Sequence, residues 1–241
     1  MQYMGGKSRL AKSIRDVILG DTDRRERYVE PFIGGGSVFQ AMTPHFSEAL
    51  GLDGQQDLIL LWGSLLKGWK PPTELSLEEW QRLRDEEPSA LRAFAGFGCS
   101  FGGRFFEGYA RNKTETNYAA QSSRVLLTQV SEMLKGNPTV EHSLFQDTPI
   151  KPGDVVYCDP PYEGTKNYTS KRSGIQHFPH SEFWATARNW AETGAHVYVS
   201  EFNAPAGWDC IWEKSRKVGL GEQSGARYEE KVDRLFTYRV G

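Results

Sequence analysis

At 241 residues the chain is long enough for one sizeable α/β domain with an inserted subdomain, and too short for two large domains. The composition, with 38% hydrophobic and 25% charged residues, excludes an intrinsically disordered chain. The net charge of -2 excludes a basic field over the whole molecule, so any contact with a polyanion must come from local patches of Lys and Arg.

Close to the N-terminus, a glycine pair precedes a predicted amphipathic helix. After Gly5, Gly6 and Lys7, apolar residues recur at helical spacing: Leu10, Ile14, Val17 and Ile18. A P-loop is excluded because its first glycine would fall at Met1, with no strand before it. The glycines allow close backbone approach and Lys7 adds a positive charge, which together suit a carboxylate or a phosphate. A plain helix start fits the segment equally well.

A second glycine turn follows a short apolar strand within residues 28–33. Residues 34–36 are all glycine and lead into an apolar helical pattern, which brings backbone N–H groups and a helix N-terminus against a nucleotide-like ligand. Glu30 and Phe32 flank the turn with the acidic and aromatic groups that an adenosyl or amino-acid ligand would use. The spacing is not G-x-G-x-x-G, so a nucleoside is favoured over a dinucleotide. A turn that serves only helix packing is the alternative.

Asp53 ends a second predicted strand at residues 50–53. An acid about 20 residues after a glycine turn, at a strand end, usually holds ribose hydroxyls. Asp57 opens the next helical pattern and is interpreted as an ordinary acid of the first helical turn.

Between residues 95 and 124 the composition changes to Gly, Phe, Tyr and Arg. Basic residues interleaved with aromatic ones suit phosphates and unstacked bases, and the candidates for DNA contact are Arg104, Arg111, Lys113 and Arg124. A Phe-rich core turn with incidental arginines is the alternative.

Asp159 follows a predicted buried strand at 155–158 and precedes two prolines and Tyr162. The prolines fix φ, hold Asp159 in an extended conformation and remove two backbone donors, so the loop is stiff and the Pro160 carbonyl is free to accept. Two acceptors suit an amino group with two hydrogens, and the Tyr162 ring suits the face of a planar heterocycle. The loop therefore fits an aminated base, with a strand-ending turn as the alternative.

The Gly, Ser, Thr and Lys content of residues 164–174 predicts a long loop that closes over a substrate, and Lys166 and Tyr168 within it are further candidates for DNA contact. Hydrophobic patterns elsewhere predict surface helices within 75–91, helices at 125–134 and 183–191, strands at 140–145 and 196–200, and sheet-edge strands after 212.

In this order the segments resemble the Dam-type, D12-class DNA adenine-N6 methyltransferases. Chains of that family run from a Gly-Gly-Lys segment through a Pro-Phe-x-Gly-x-Gly turn and an inserted target-recognition region to Asp-Pro-Pro-Tyr, here residues 159–162. The likeness covers nearly the whole chain. It implies an α/β, Rossmann-like S-adenosylmethionine-dependent methyltransferase fold, with a catalytic domain at 1–70 and 136–241 and a small helical and loop target-recognition insertion at 71–135.

The resemblance also implies residue roles. The cofactor is S-adenosylmethionine, and the residues that would line its methionine end are Tyr3, Gly5, Gly6 and Lys7. The residues that would hold its backbone are Phe32, Gly34 and Gly36, with Glu30 beside them, and Asp53 would bind the ribose. Asp159 borders the cofactor and, with Pro160, would bind the N6 amino group of the target. Tyr162 would cover the face of the flipped adenine, and Pro161 completes the catalytic motif.

At two places the chain departs from the family pattern. Family members often carry an acid near the end of the strand before the catalytic one, which reads the adenine of the cofactor. That register gives Leu144 and Phe145 here, with Asp147 two residues later, so Asp147 is a candidate for the adenine and Phe145 for stacking. The family usually has Asn-Asp at the ribose acid, where this chain has Leu52 and Asp53.

By this resemblance the protein transfers a methyl group to N6 of an adenine flipped out of double-stranded DNA, leaving S-adenosylhomocysteine, with no metal and no covalent enzyme intermediate. Acceptance of the amino hydrogens by Asp159 and the Pro160 carbonyl would aim the nitrogen lone pair at the methyl group. The alternatives are methylation of cytosine N4, of an RNA adenine or of a protein glutamine, and a catalytically silent nucleic-acid-binding relative.

Cellular context follows from a few further features. The 3 cysteines lack C-x-x-C spacing, which favours reduced thiols, and no run approaches the roughly 18 apolar residues of a membrane span. We therefore expect no membrane association and a location in the cytoplasm of a bacterium or a phage-infected cell, with a monomer as the working expectation. The recognition sequence and the presence of a restriction partner are left open.

Overall fold

A computed structural model describes residues 1–111, 116–164, 178–219 and 228–240. Within these residues, seven strands form one sheet in the order β3-β2-β1-β4-β5-β7-β6. The strands are β1 (Arg27–Glu30), β2 (Glu48–Asp53), β3 (Pro138–His142), β4 (Val155–Cys158), β5 (His196–Glu201), β6 (Trp208–Gly219) and β7 (Tyr228–Tyr238). The α-helices are α1 (Ala11–Asp21), α2 (Ser37–Met42), α3 (Gln56–Leu66), α4 (Leu77–Arg84), α5 (Ala90–Ala93), α6 (Tyr118–Met133) and α7 (His180–Glu192).

Strands β1 to β5 pair in parallel, whereas β7 runs antiparallel to both β5 and β6. Parallel strands need crossovers that cover both faces of the sheet, which is why they appear in the sequence as short apolar runs. The order of the strands reverses between β1 and β4, and ligands of such sheets bind beyond the carboxyl ends of the strands at that switch point. The predicted α/β, Rossmann-like fold is confirmed.

The hydrophobic core lies on both faces of this sheet. Successive residues of a strand point to opposite faces, and in β4 Val155 and Tyr157 join one apolar cluster while Val156 and Cys158 join the other. All four residues are buried, as the sequence of the strand predicts. The carboxyl end of β4 is thereby fixed from two sides, which gives Asp159 a rigid base.

The segment predicted as an insertion, 71–135, packs into the cluster on the face of α1 and α3. Its Trp80, Phe94 and Leu126 are buried in the same cluster as Tyr28 of β1. The domain boundaries stay a prediction, but the segment shares a core with the sheet. Some of its helices therefore contribute to the position of the switch point.

A buried ion pair ties α3 to α5. Asp57 is ion-paired with Arg92 and also accepts a hydrogen bond from the Ser89 N–H at 3.2 Å. The Arg92 guanidinium lies 5.1 Å from the ring centre of Phe105, within the range of cation–π attraction. Asp57 does lie in the first turn of α3, as predicted, but it is buried and paired with the inserted segment instead of facing solvent.

The predicted elements differ from the structure at several ends. β3 stops at His142, so residues 143–145 are not part of the strand as predicted, and Phe145–Asp147 forms a 3-10 turn. α6 starts earlier than predicted because the Asn117 side chain caps it, accepting from the Ala120 N–H at 2.8 Å. β7 lies inside the sheet, since the hairpin places β6 at the edge. Among the described helices, none is long and apolar enough to cross a membrane.

Candidate active site

A cleft opens at the switch point, beyond the carboxyl ends of β1 and β4. It encloses a cavity of about 90 Å³, or about 630 Å³ when the open space at its mouth is counted. Most residues assigned to the cofactor from the sequence line this central cleft: Tyr3, Gly5, Gly6, Lys7, Glu30, Phe32, Gly34, Gly36, Asp53 and Asp159. The fold thus joins an N-terminal segment, the glycine turn, the end of β2 and the Asp159 loop in one site.

The glycine turn is shaped by conformations that other residues rarely adopt. Gly36 has a φ of +67° at the start of α2, and a Cβ there would stand 2.7 Å from Cζ2 of Trp62. A Cβ on Gly35 would stand 2.7 Å from Cβ of Tyr3. Only glycine therefore allows the backbone to lie this close to its neighbours, so the turn presents main-chain atoms to the cleft.

Three side chains from distant parts of the chain fix this turn. The Gly34 N–H donates to Asp53 at 2.9 Å, and its carbonyl accepts from the Trp62 indole N–H at 3.0 Å. The Gly35 carbonyl accepts from the side-chain amide of Gln129, on α6, at 3.0 Å. Sequence reasoning missed Trp62 and Gln129, since both appear there as members of ordinary helices. They turn the glycine segment from a flexible stretch into a defined cradle.

Asp53 stands at the end of β2 and faces the cleft. Its second carboxylate oxygen accepts from the Gln55 N–H at 2.9 Å. Burial raises the pKa of Asp53 to about 6, although the N–H groups of Gln55 and Gly34 act in the opposite direction. The ionised carboxylate keeps lone pairs that suit hydroxyl donors of a ligand.

Glu30 lies below the cleft at the end of β1, 2% exposed. The Tyr28 hydroxyl donates to it at 2.6 Å. Burial raises the pKa of Glu30 well above its ordinary value, and the nearby carboxylates of Asp159 and Asp53 raise it further, while the hydrogen bond from Tyr28 lowers it. A proton, or a cationic group of a ligand, is therefore favoured at this position.

Lys7 and Asp159, distant in sequence, form an ion pair in the cleft. The Lys7 ammonium donates to both carboxylate oxygens of Asp159, at 2.6 and 2.9 Å. Burial raises the pKa of Asp159, and the charge of Lys7 and its hydrogen bond lower it. Lys7 therefore favours the ionised form of a carboxylate that would otherwise hold its proton more tightly.

The Tyr162 ring closes the same site from one side. The Lys7 ammonium lies 4.5 Å from the centre of this ring. Phe202 meets the ring edge-on, with the two ring centres 4.7 Å apart and the planes at 88°. A carboxylate and an aromatic face thus converge on one cationic amino group. Pro161 also lines the cleft, and Pro160 is buried beside it.

Phe145 and Asp147 stand apart from the lining of the central cleft. Phe145 is buried, and its ring centre lies 5.9 Å from that of Phe32 and 5.7 Å from that of Phe183. Asp147 is exposed on the 3-10 turn. Their assignment to the cofactor adenine stays a prediction, and Phe145 supports the cleft through its contact with Phe32.

The candidates for DNA contact that the structure describes are surface residues. Arg104 pairs loosely with Glu107, at 3.5 Å, and both Arg111 and Arg124 are exposed. Lys113, Lys166 and Tyr168 lie outside the described residues. Phe101, which the sequence did not single out, is 72% exposed next to Arg104. Phe101 begins a short turn that ends at Gly103. A Cβ at Gly103 would stand 2.6 Å from the backbone of Gln2, so this turn packs beside the N-terminal segment of the cleft.

The site can be compared with known proteins. A family model described as D12 class N6 adenine-specific DNA methyltransferase matches residues 3–93 and 103–207. The chain belongs to this family. The matched ranges contain the glycine turn, Asp53 and the Asp159 loop, so the family and the enzyme activity predicted from the sequence, methylation of adenine N6 in DNA, are confirmed.

Among solved structures, the methyltransferases similar to this family member are remote in sequence. The rRNA methyltransferase AviRa from Streptomyces viridochromogenes is 15% identical, covering 96% of this chain and 84% of that one, with a TM-score of 0.44. A putative RNA methyltransferase from Pyrococcus horikoshii is 10% identical over 96% and 85%, with a TM-score of 0.44. Magnesium protoporphyrin IX methyltransferase from Synechocystis with bound S-adenosylmethionine is 11% identical over 98% and 81%, with a TM-score of 0.40. A search of curated protein sequences gave no significant match.

Proposed function

We propose that the enzyme methylates N6 of an adenine swung out of double-stranded DNA, with Asp159 and Tyr162 receiving the base and S-adenosylmethionine bound in the central cleft. The observation that carries the proposal is the convergence of the Asp159 carboxylate and the Tyr162 ring on the Lys7 ammonium. The ammonium donates to both oxygens of one carboxylate beside an aromatic face, and the exocyclic amino group of an aromatic base is a hydrogen-bond donor that the same groups can receive.

The lining of the cleft suits S-adenosylmethionine. The glycine cradle offers main-chain atoms at close range, Asp53 offers a carboxylate to ribose hydroxyls, and Glu30 offers a buried acid to a cationic group. Tyr3, Gly5 and Gly6 would complete the methionine end. When bound, the cofactor supplies a methyl group activated by its sulfonium charge.

Asp159 is proposed to bind the target through hydrogen bonds. Its ionised carboxylate accepts a hydrogen bond from one N–H of the N6 amino group, and the Pro160 carbonyl accepts a hydrogen bond from the other N–H. Withdrawal of both hydrogens from the ring plane frees the nitrogen lone pair for attack, which is an interaction made most strongly in the transition state. Lys7 must give up one of its two hydrogen bonds to Asp159 as the base enters, because its ammonium already bonds both carboxylate oxygens.

Tyr162 is proposed to hold the flipped base by stacking. Leaving the duplex costs the base a few kcal/mol, roughly, and contact with an aromatic face offsets part of that cost. The Phe202 ring stands nearly perpendicular to the Tyr162 ring, and this contact restricts rotation of the Tyr162 ring.

DNA is proposed to approach across the exposed Arg104, Arg111 and Arg124, which would contact phosphates. The exposed Phe101 ring beside them suits contact with bases that lose a stacking partner when adenine leaves. The expected setting remains the cytoplasm of a bacterium or a phage-infected cell.

The test is transfer of labelled methyl from S-adenosylmethionine to double-stranded DNA that lacks methylated bases, followed by separation of the nucleosides. We expect label in N6-methyladenine, no turnover by Asp159→Ala with unchanged thermal unfolding, and wild-type turnover by Asp23→Ala, an exposed acid at the other end of the strands. Retained turnover by Asp159→Ala would overturn the mechanism. Label in N4-methylcytosine would instead contradict adenine as the substrate. Transfer to RNA or protein, with none to DNA, would contradict DNA as the substrate.

A further inference from the structure

Glu201 is a buried acid that the catalytic proposal does not use. It ends β5, the neighbour of β4 in the sheet, and is only 2% exposed. One carboxylate oxygen accepts from the backbone N–H of Glu163 at 2.6 Å, and the other accepts from the backbone N–H of Phe202. Glu201 therefore joins the far end of the Asp159 loop to the end of the adjacent strand.

The loop has few other places to be anchored. Pro160 and Pro161 carry no N–H, so the first backbone donors after Asp159 belong to Tyr162 and Glu163. The Glu163 N–H is the donor that Glu201 holds. The loop is thus fixed by β4 before Asp159 and by Glu201 directly after Tyr162.

Glu201 also sets the partner of the Tyr162 ring. Its second oxygen holds the Phe202 N–H, and the Phe202 ring meets Tyr162 edge-on with ring centres 4.7 Å apart. One side chain therefore fixes Tyr162 through the main chain that follows it and through the ring that flanks it. Loss of this side chain would free both.

Burying the carboxylate of Glu201 costs free energy, so packing alone does not account for an acid at this position. Burial raises the pKa of Glu201 to about 7, and the charges of Glu163 and Asp159 add to the increase, whereas the two backbone N–H groups lower it. An apolar residue would fill the space without this penalty, but it would leave the partly buried N–H groups of Glu163 and Phe202 without this acceptor. The need for two acceptors explains the acid.

We infer that Glu201 is a positioning residue for methyl transfer. It holds Tyr162 in place by accepting hydrogen bonds from the Glu163 N–H, directly after Tyr162, and from the N–H of Phe202, whose ring contacts Tyr162. The inference rests on the proposed role of Tyr162 in receiving the base. Glu201 itself touches neither the base nor the central cleft.

The test compares Glu201→Gln with wild type in the full-length enzyme. The amide keeps the size of the side chain but replaces one acceptor by an N–H₂ group, so one charge-assisted hydrogen bond is lost. We expect kcat for methylation of unmethylated double-stranded DNA to fall about tenfold or more. The Kd for S-adenosylmethionine, measured by calorimetry, is expected to change less than about twofold, because Glu201 does not line the cleft.

Hydrogen exchange gives a readout that overall structural damage does not imitate. A peptide spanning 159–164 has few exchangeable amides because Pro160 and Pro161 have none, so its exchange reports mainly Tyr162, Glu163 and Gly164. We expect faster exchange of this peptide in Glu201→Gln, with unchanged exchange in β1 and β2. Glu163→Gln is the matched control, since it removes a neighbouring exposed charge and keeps the backbone N–H.

Each outcome decides the inference. A wild-type kcat in Glu201→Gln, or a reduced kcat without faster exchange of the 159–164 peptide, would overturn it. A general increase of exchange together with weaker cofactor binding would assign Glu201 to stability alone and overturn it as well. If wild type itself places no label in adenine, the proposed function fails, and the exchange experiment still decides whether Glu201 anchors the loop.

Discussion

Replacement of Lys7 by methionine tests the central electrostatic feature of the site. The side chain of Lys7 is 9% exposed and that of Asp159 is 19% exposed, and the two are joined by hydrogen bonds of 2.6 and 2.9 Å. Lys7→Met keeps most of the side-chain volume and removes the charge. Asp159, already subject to burial, then loses the cation that favours its ionised form.

The size of the effect follows from the burial of the pair. Removal of one partner from a buried ion pair costs about 3–5 kcal/mol, and the opening of the cleft to solvent favours the lower figure. Asp159 reduces this cost by binding a proton, so its pKa rises. A protonated carboxyl loses an acceptor for the N6 amino group, and loss of one charge-assisted hydrogen bond in the transition state, about 1.5–3 kcal/mol, corresponds to roughly a 10- to 150-fold loss in kcat/KM near neutral pH.

The assay is methyl transfer to double-stranded DNA over a range of pH, with cofactor binding measured separately because Lys7 also lines the cleft. We expect the activity of Lys7→Met to recover as the pH rises and Asp159 ionises. Lys12→Met, an exposed lysine on α1, serves as the matched control with the wild-type profile. A deficit of the same size at every pH, or no deficit near pH 7, would refute the role of Lys7 as the counter-ion of Asp159.

Other predictions follow from the glycine turn, the ribose acid and the insertion. Gly36→Ala is expected to lower the free energy of unfolding by about 2–4 kcal/mol in urea titrations, because φ is +67° and the added Cβ would stand 2.7 Å from Trp62. S-adenosylmethionine is expected to bind more weakly in calorimetry as the pH falls below about 6 and Asp53 gains a proton. Because the folded-state pKa of Asp53 lies above its ordinary 3.8, the folded state binds this proton more tightly, so stability should fall as the pH rises from 3.8 to about 6, and Asp53→Asn should remove that part of the profile. Asp57→Ala leaves Arg92 without its carboxylate partner and should cost about 3 kcal/mol of stability in the same titrations.

Sequence reasoning succeeded where backbone chemistry is local. β4 was recognised because Val, Val, Tyr and Cys favour a strand that is buried on both faces, and the prolines after Asp159 mark its end. The glycines of 34–36 marked the turn because only glycine tolerates such close approach. These segments also carried the resemblance to the D12 class, so fold and reaction were both predictable.

Sequence reasoning failed where a polar residue fits two environments equally well. Asp57 was recognised as an acid of the first helical turn, but the sequence did not reveal that it is buried and paired with Arg92. Phe145 stands two residues before Asp147 in a pattern that suits a strand, yet the chain turns there and buries the ring against Phe32. Local propensity does not contain the partner, so it does not decide between the two outcomes.

What the sequence determined by itself was the family, the α/β fold and most of the residues that line the central cleft, because these are encoded in short runs whose backbone behaviour is nearly independent of their surroundings. The tertiary structure alone decided how those residues act on one another. It placed Lys7 on Asp159, brought Gln129 to the glycine turn and set Glu201 behind Tyr162. Such contacts depend on strand order and on how helices cross the sheet, and hydrogen bonds and charge pairs form only between groups that the folded chain brings within about 3 Å.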